Sequence, residues 1–433
     1  MKIFYFSLLA ALAFVSCAPG PRSDLTLAPQ LVEAPRYLPL IREDADLRDE
    51  KAIDVALAMA EAGAPRAAFD LASEMKTPLR LSALYRLAVL SAKEGDPGSS
   101  RRAMEAAEKG MEQYPLNPPR VPDIDRAAAY AVLRGSAEAQ KKADLLGNPY
   151  DRNEALARIR AEEILRATDP LAVPGSPLIV PELTTAWCQR AVQPTSSQAR
   201  PYLEKALANS RDGFPVFRPR MLIECAEAEG KLGNDAARQA LLEEAAGIAG
   251  SLGDRTETGP MERARVGLAM AQAGMKERAR EVLEAAAVAS RLPASYFQPP
   301  AMVMVAEGWW QLGEKEKAQA MWLEAAKVAL VHPHPNARAV NAIEVLLSLA
   351  KAQAEETPDL RSVLDQIQRG EGGEGSATLT LSPEIQDAIN RTRQDLQAAA
   401  VRRDQEIRAE NAAKAKAAKA PAKDGQKAKD KKP

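Results

Sequence analysis

The chain contains few of the side chains that usually carry out chemistry. Only three Cys and two His occur among its 433 residues, which limits metal coordination and nucleophilic catalysis. Patterns typical of a phosphate-binding loop, a dinucleotide-binding loop, a nucleophile elbow or a zinc-protease helix are missing as well. Asp and Glu are abundant, but helical spacing places them on the predicted solvent faces. The sequence therefore predicts no metal, no cofactor and no enzymatic activity.

Aromatic residues are also sparse, at 4% of the chain, and alanine dominates the apolar residues. This composition favours helices over strands and predicts an all-α protein. The net charge of −1 gives no reason to expect a nucleic-acid partner. Charge is nevertheless uneven, because residues 414–433 hold eight Lys and two Asp, a net charge of +6, which leaves −7 for the rest.

The N-terminal residues 1–17, MKIFYFSLLAALAFVSC, are apolar almost throughout. The stretch suits a signal peptide and falls short of the roughly 20 residues that span a bilayer. It ends in Cys17 after the small residue Ser16, which resembles the lipobox of bacterial lipoproteins, with Phe14 departing from the usual Leu. The resemblance implies lipid attachment at Cys17 and, with Ala18 next, an outer-membrane location facing the periplasm. Ordinary signal-peptidase cleavage and a cytosolic protein are the alternatives.

Residues 18–44 are predicted to form an extended tether between the lipid and a folded body. Five prolines fall within residues 18–41, and proline-rich segments are extended. The body is predicted over residues 45–369, where apolar residues recur at helical spacing. The proline-rich stretch 168–182 is a candidate break between two lobes of this body.

The body contains internal repeats that align on turn glycines. Gly233, Gly274 and Gly313 are 41 and 39 residues apart. The clearest unit includes EGWWQLGEKEKAQAMWLEAA, residues 307–326, with three of the four tryptophans. These units resemble the tetratricopeptide repeat (TPR), and looser copies surround Gly63 and Gly95.

The resemblance implies a right-handed α-solenoid of TPR-like helix pairs. Small residues on one helix let its partner approach, bulky residues fill the groove between them, and glycine ends the first helix in a left-handed cap. A different α-solenoid or an irregular α/α superhelix is the structural alternative. Residues 123–167, 181–210 and 336–369 are predicted helix pairs without the signature. The predicted packing positions are Ala306, Trp309, Gly313, Ala318, Trp322, Gly267, Gly274 and Ala279.

Three further features have two interpretations each. Trp310 lies one residue from a packing position and either contacts a partner or packs on a neighbouring unit. Cys188 and Cys225 are 37 residues apart, so they either form a disulfide in an oxidising compartment or serve as separate core residues. His332 and His334 could ligate a metal, but a proline-rich loop is favoured because no cluster of further ligands accompanies them.

The C-terminal region divides into three predicted segments. Residues 370–382 form a flexible linker, residues 383–413 a C-terminal helix, and residues 414–433 a disordered Lys/Ala-rich tail. The tail either solubilises the chain or binds anionic surfaces such as cell-wall polymer.

These features together predict a lipid-anchored scaffold or adaptor of the bacterial cell envelope. TPR arrays bind peptide segments of other proteins, so the resemblance implies envelope proteins as partners without naming one. A structural tether that binds cell wall through the basic tail is the first alternative. An enzyme on an α/α fold is the second.

Overall fold

The computed structural model describes residues 27–114, 119–176, 178–193, 198–253, 258–291 and 298–372. Within these ranges the chain is all-α, with eighteen α-helices, two short 3-10 helices and no strand. The predicted fold class is confirmed at this level. The predicted signal peptide, C-terminal helix and basic tail lie outside the described residues, as does nearly all of the predicted linker.

Most of the helices fall into two groups that alternate along the chain. We call the first group A helices, and each packs against the next A helix. The A helices are α2 (Ala45–Glu61), α4 (Leu79–Lys93), α6 (Arg120–Leu133), α8 (Pro149–Arg166), α9 (Pro181–Ala191), α11 (Arg218–Lys231), α13 (Gly259–Gln272), α15 (Gln298–Gln311) and α17 (Pro335–Ala352).

We call the second group B helices. Each B helix follows an A helix and packs on it, and every A helix except α8 is followed by such a B helix. They are α3 (Pro65–Glu74), α5 (Pro97–Met111), α7 (Ser136–Asp144), α10 (Ala199–Asp212), α12 (Asp235–Ser251), α14 (Lys276–Ala289), α16 (Lys315–Val331) and α18 (Pro358–Gln368).

Local sequence explains where many of these helices begin and end. Several begin with proline, whose missing N–H is unneeded in the first turn. The Asp44 side chain accepts a hydrogen bond from Leu47 N–H at the start of α2. Gly274 and Gly313, at φ 77° and 82°, end α13 and α15 in the left-handed conformation that glycine favours. The predicted glycine caps are therefore confirmed, also at Gly63, Gly95 and Gly233.

The predicted repeat positions form the interfaces of the last A–B pairs. Val305, Ala306, Ala318, Trp322 and Ala325 are fully buried. Trp322 is the largest fully buried side chain, and its Nε1 donates to Ser348 Oγ at 2.9 Å. Helix α16 is thereby joined to α17, the next A helix. The TPR identity and the handedness of the array remain predictions.

Leu283 of α14 occupies a narrow space between two A helices. A Cβ atom added at Gly267 of α13 would lie 2.7 Å from Leu283 Cγ, and one added at Gly308 of α15 would lie 2.5 Å from Leu283 Cδ2. Both glycines therefore permit a close approach of helices. The sequence predicted this role for Gly267 but not for Gly308.

The Gly308→Ala substitution is expected to lower the free energy of unfolding by about 1–2 kcal/mol, because the added methyl group overpacks a fully buried leucine. Urea unfolding followed by circular dichroism measures the change. Gly247→Ala is the matched control, since Gly247 is exposed on α12 with no atom within 4 Å of its added Cβ. The free energy of unfolding of that control is expected to rise by about 0.5–1 kcal/mol, because alanine has a higher helix propensity than glycine. Equal midpoints for both variants would contradict the overpacking argument.

The candidate break over 168–182 does not separate two cores. Helices α8 and α9 on either side pack directly on each other and share one apolar cluster. A short 3-10 helix, Pro170–Ala172, follows α8 in the place where a B helix follows the other A helices. Residues 120–166 also contain three helices rather than the predicted pair, because Gly135 makes an additional turn between α6 and α7.

The predicted extended tether over 18–44 is wrong for its second half. Residues Pro29–Glu33 form α1 and residues Ala34–Leu40 form a 3-10 helix, and both pack against α17. Ala34, Tyr37 and Ile41 are fully buried there. Pro29, Pro35 and Pro39, three of the five prolines that indicated an extended chain, instead begin or interrupt these two short helices.

The two ends of the helical array meet. Helix α2 contacts α17, and the Lys51 ammonium of α2 forms an ion pair with Glu344 of α17. Contacts between successive A helices therefore form a closed circuit from α2 to α17 and back to α2. The sequence does not predict this closure, because the residues involved are about 300 positions apart.

Candidate partner-binding surface

Two sets of ion pairs join neighbouring A helices, one over α4, α6, α8 and α9 and one over α11 and α13. We call the residues of both sets the charged band. All of its ion pairs join residues of A helices, although the sequence placed such carboxylates on solvent faces. The members of the charged band are Arg86, Asp125, Glu154, Arg158, Glu182, Arg220, Glu262 and Arg265.

Arg158 of α8 is the centre of the charged band. It is 9% exposed, and its guanidinium lies 2.8 Å from Asp125 of α6 and 2.7 Å from Glu154 one turn earlier. Glu182 of α9 lies 3.7 Å from Arg158 Nε. Arg86 of α4 also forms an ion pair with Asp125, with 3.1 Å between Arg86 Nε and the carboxylate. Arg158 thus connects α6, α8 and α9 directly, and Arg86 extends the set to α4 through Asp125.

The charged band continues on α11 and α13 with looser pairing. Glu262 is 2% exposed, and it lies 3.3 Å from Arg265 Nε and 4.0 Å from Arg220 Nη2. Burial and the neighbouring Arg265 lower the pKa of Arg220. Two guanidinium groups therefore share one buried carboxylate on this side of the band.

Two half-buried carboxyl groups lie on α11, and one of them, Glu224, is close to both arginines. Burial, and then the nearby Glu227, raise the pKa of Glu224 to about 7 despite the opposing effect of Lys231, Arg220 and Arg265. Burial raises the pKa of Glu227 as well. Near neutral pH, Glu224 thus exists in both protonation states and could accept a hydrogen bond or a cationic group from a partner.

A similar carboxyl group lies where the ends of the array meet. Burial and Glu94 raise the pKa of Glu61 on α2 to about 7, although Lys351 of α17 lowers it. Lys351 itself lies 2.7 Å from Glu307 of α15. The A helices therefore present half-buried carboxyl groups at two separate places, around Glu224 and around Glu61.

Trp310 lies against its own repeat unit. Its ring centroid is 5.7 Å from that of Trp322, and the Lys315 ammonium lies 5.0 Å from the Trp310 ring. Trp309 is 3% exposed, and the Lys317 ammonium lies over its ring, 4.4 Å from the ring centroid. Trp310 is partly buried against the main apolar cluster, which favours packing over a free contact surface. Its role in contacting a partner remains a prediction.

Cys188 and Cys225 face each other across α9 and α11. Both are buried, and their Sγ atoms are 3.8 Å apart, with Ser210 Oγ 3.4 Å from Cys225 Sγ. The contact with Cys225, and then burial, raises the pKa of the Cys188 thiol. The spacing of one repeat therefore brings the two side chains together as thiols. The disulfide between them remains a prediction.

The two histidines stabilise the loop before α17. His332 Nδ1 accepts the His334 N–H at 3.1 Å, and the His332 carbonyl accepts Arg338 Nη1 at 3.2 Å. Burial lowers the pKa of His332. Among the described residues, no group of three or more His, Cys, Asp or Glu is arranged to hold a metal ion.

The charged band was missed because hydrophobic periodicity assigns charged residues to the solvent by default. The spacing of Glu154 and Arg158, one helical turn apart, was the available signal.

Cys17 and the basic tail lie outside the described residues, and none of the described helices has the length and apolarity of a membrane span. No family model matches the chain, and neither a curated protein nor a solved structure matches it.

Proposed function

We propose that the protein is a lipid-anchored scaffold of the bacterial cell envelope, which binds segments of other envelope proteins on its A helices and catalyses no reaction. The observation that carries this proposal is the charged band together with the half-buried carboxyl groups of Glu224 and Glu227 on α11. Arg158, Arg220 and Arg265 pair with the carboxylates of the charged band, while among the described residues no cationic group lies within ion-pair distance of Glu224 or Glu227. Such groups suit a segment that supplies basic side chains or hydrogen-bond donors.

The TPR-like packing of α13 to α16 supports the same function, because arrays of helix pairs bind extended segments along one face. We propose attachment through a lipid on Cys17 at the outer membrane, facing the periplasm. Since residues 29–41 pack on the body, only residues 18–28 would separate the lipid from it. Eleven extended residues reach at most about 40 Å, so the body would stay close to the bilayer.

The binding proposal is tested by cross-linked affinity capture from envelope extracts with the full chain. The Glu224→Gln/Glu227→Gln variant is expected to lose proteins that the native chain retains. The Glu281→Gln/Glu284→Gln variant, altered at two exposed positions of α14, is the matched control and should retain them. Capture of the same proteins by all three chains would place the binding surface elsewhere.

The anchoring proposal has its own test. Cys17→Ala is expected to abolish incorporation of a labelled fatty acid and to release the chain from the membrane fraction. Continued acylation of that variant would refute attachment at Cys17 without affecting the binding proposal.

A further inference from the structure

The N-terminal segment 29–41 fills a groove between distant parts of the chain. Its neighbours are α17, α18 and α2. We call the space between these three helices the seam groove. The side chains of the segment that are buried in it are Leu31, Ala34, Tyr37, Leu38 and Ile41. The remaining positions include exposed Val32, Arg36 and Pro39. One face of the segment is therefore buried, and the other faces solvent.

Polar contacts fix the register of the segment in the seam groove. Gln30 Nε2 donates to the Ala354 carbonyl at 3.2 Å, and the Tyr37 hydroxyl donates to the Leu364 carbonyl at 3.1 Å. Glu33 forms an ion pair with Arg361 of α18. The Tyr37 hydroxyl is also 3.3 Å from Glu33 Oε1. Side chains of the segment thus bind main-chain carbonyls and one arginine of the groove, as a peptide ligand binds its receptor.

The segment has little structure of its own to hold it in place. Helix α1 has five residues, and the following 3-10 helix has seven and contains Pro39. Helices this short are unstable alone, so the segment becomes ordered through its contacts with the groove. Residues 42–44, which connect the segment to α2, and the first two residues of α2 are all exposed.

We propose that the seam groove between α2, α17 and α18 is a peptide-binding site and that residues 29–41 are its tethered ligand. The groove selects apolar side chains at the positions of Leu31, Ala34, Tyr37 and Ile41 and a carboxylate opposite Arg361. A partner peptide of this chemistry must displace the tethered segment, which competes at an effective concentration on the order of millimolar. This site is separate from the charged band, so each proposal can fail alone.

The proposal is tested by cleaving the main chain between the segment and α2 in the folded protein. A protease recognition sequence is inserted into the full chain after Arg42, within the exposed stretch, and the folded protein is cleaved there. A fluorescein-labelled synthetic peptide with the sequence of residues 27–43 is then added. We expect the labelled peptide to replace the nicked segment within hours, and to bind the nicked protein at least tenfold more tightly than the uncut native chain.

Two controls locate the binding. The same peptide carrying Tyr37→Ala is expected to bind at least tenfold more weakly, because it loses the buried ring and the hydrogen bond to Leu364. Arg361→Ala in the nicked chain should weaken binding of the native peptide, whereas Arg369→Ala, which removes an exposed pair with Glu371, should not.

Two results would overturn the proposal. In the first, the nicked segment remains bound without exchange, or its removal unfolds the remaining chain as judged by circular dichroism. Residues 29–41 would then be an integral part of the core. In the second, the nicked and uncut proteins bind the labelled peptide equally, which would place the peptide outside the seam groove.

Discussion

The Arg158→Leu substitution is expected to lower the free energy of unfolding by about 3–5 kcal/mol, because it leaves buried Glu154 without its ion-pair partner and buried Asp125 with Arg86 alone. Asp125 and Glu154 are 4% and 6% exposed. Burial already raises the pKa of Glu154 despite the opposing effect of Arg158. Chemical denaturation of native and variant chains at pH 8 measures the loss.

The pH dependence of this loss identifies its cause. Without Arg158, the pKa of Glu154 should rise further, because the opposing effect of the guanidinium is gone. Carboxyls with raised pKa values stabilise the folded state at low pH, and this stabilisation is lost as pH rises through those values. The difference between variant and native chains should therefore shrink from pH 8 to pH 5. A loss that stays constant over this range would indicate lost packing instead.

The matched control is an arginine with the same type of partner on the surface. Arg211 pairs with Glu244 at 3.0 Å, and its side chain is 58% exposed. Arg211→Leu is expected to cost less than about 1 kcal/mol, because exposed ion pairs contribute little. Similar losses of unfolding free energy for Arg158→Leu and Arg211→Leu would mean that burial does not increase the contribution of the charged band to stability.

Interactions that are local in sequence could be predicted, whereas those between distant segments could not. The glycine caps at Gly274 and Gly313 and the buried positions of Ala306 and Trp322 follow from spacing within one repeat unit, since each helix pair is built from neighbouring residues. Gly308 was missed because its close neighbour, Leu283, belongs to the preceding unit. Its role depends on how two units pack.

The seam groove and the charged band show the same limit more strongly. Tyr37 binds a carbonyl 327 positions away, and no periodic pattern specifies such a contact. Proline in residues 29–39 indicated an extended chain, yet these residues form two short helices that pack on α17. Leu31, Ala34 and Tyr37 between those prolines are buried. The Arg158 pairs likewise require α6, α8 and α9 to be neighbours, which is known only once the A helices are assembled.

The Glu224→Gln substitution is expected to stabilise the protein at pH 8 by up to about 3 kcal/mol and to have little effect near pH 4.5. Burial raises the pKa of Glu224 to about 7 in the folded chain, while an unfolded glutamate has a pKa of about 4.3. The folded state therefore holds this proton more tightly. Its contribution to stability is fully present below the unfolded value and is lost as pH rises through about 7.

Glutamine resembles the protonated carboxyl at every pH, so the variant should lose the part of the pH dependence that Glu224 supplies. Unfolding midpoints measured between pH 4.5 and pH 8 test this expectation, with Glu316→Gln at an exposed position of α16 as the matched control. An equal pH dependence in native chain and Glu224→Gln would show that Arg220, Arg265 and Lys231 keep the carboxylate charged. Stabilisation at pH 8 together with loss of captured partners would instead show that Glu224 lowers stability but is needed for binding.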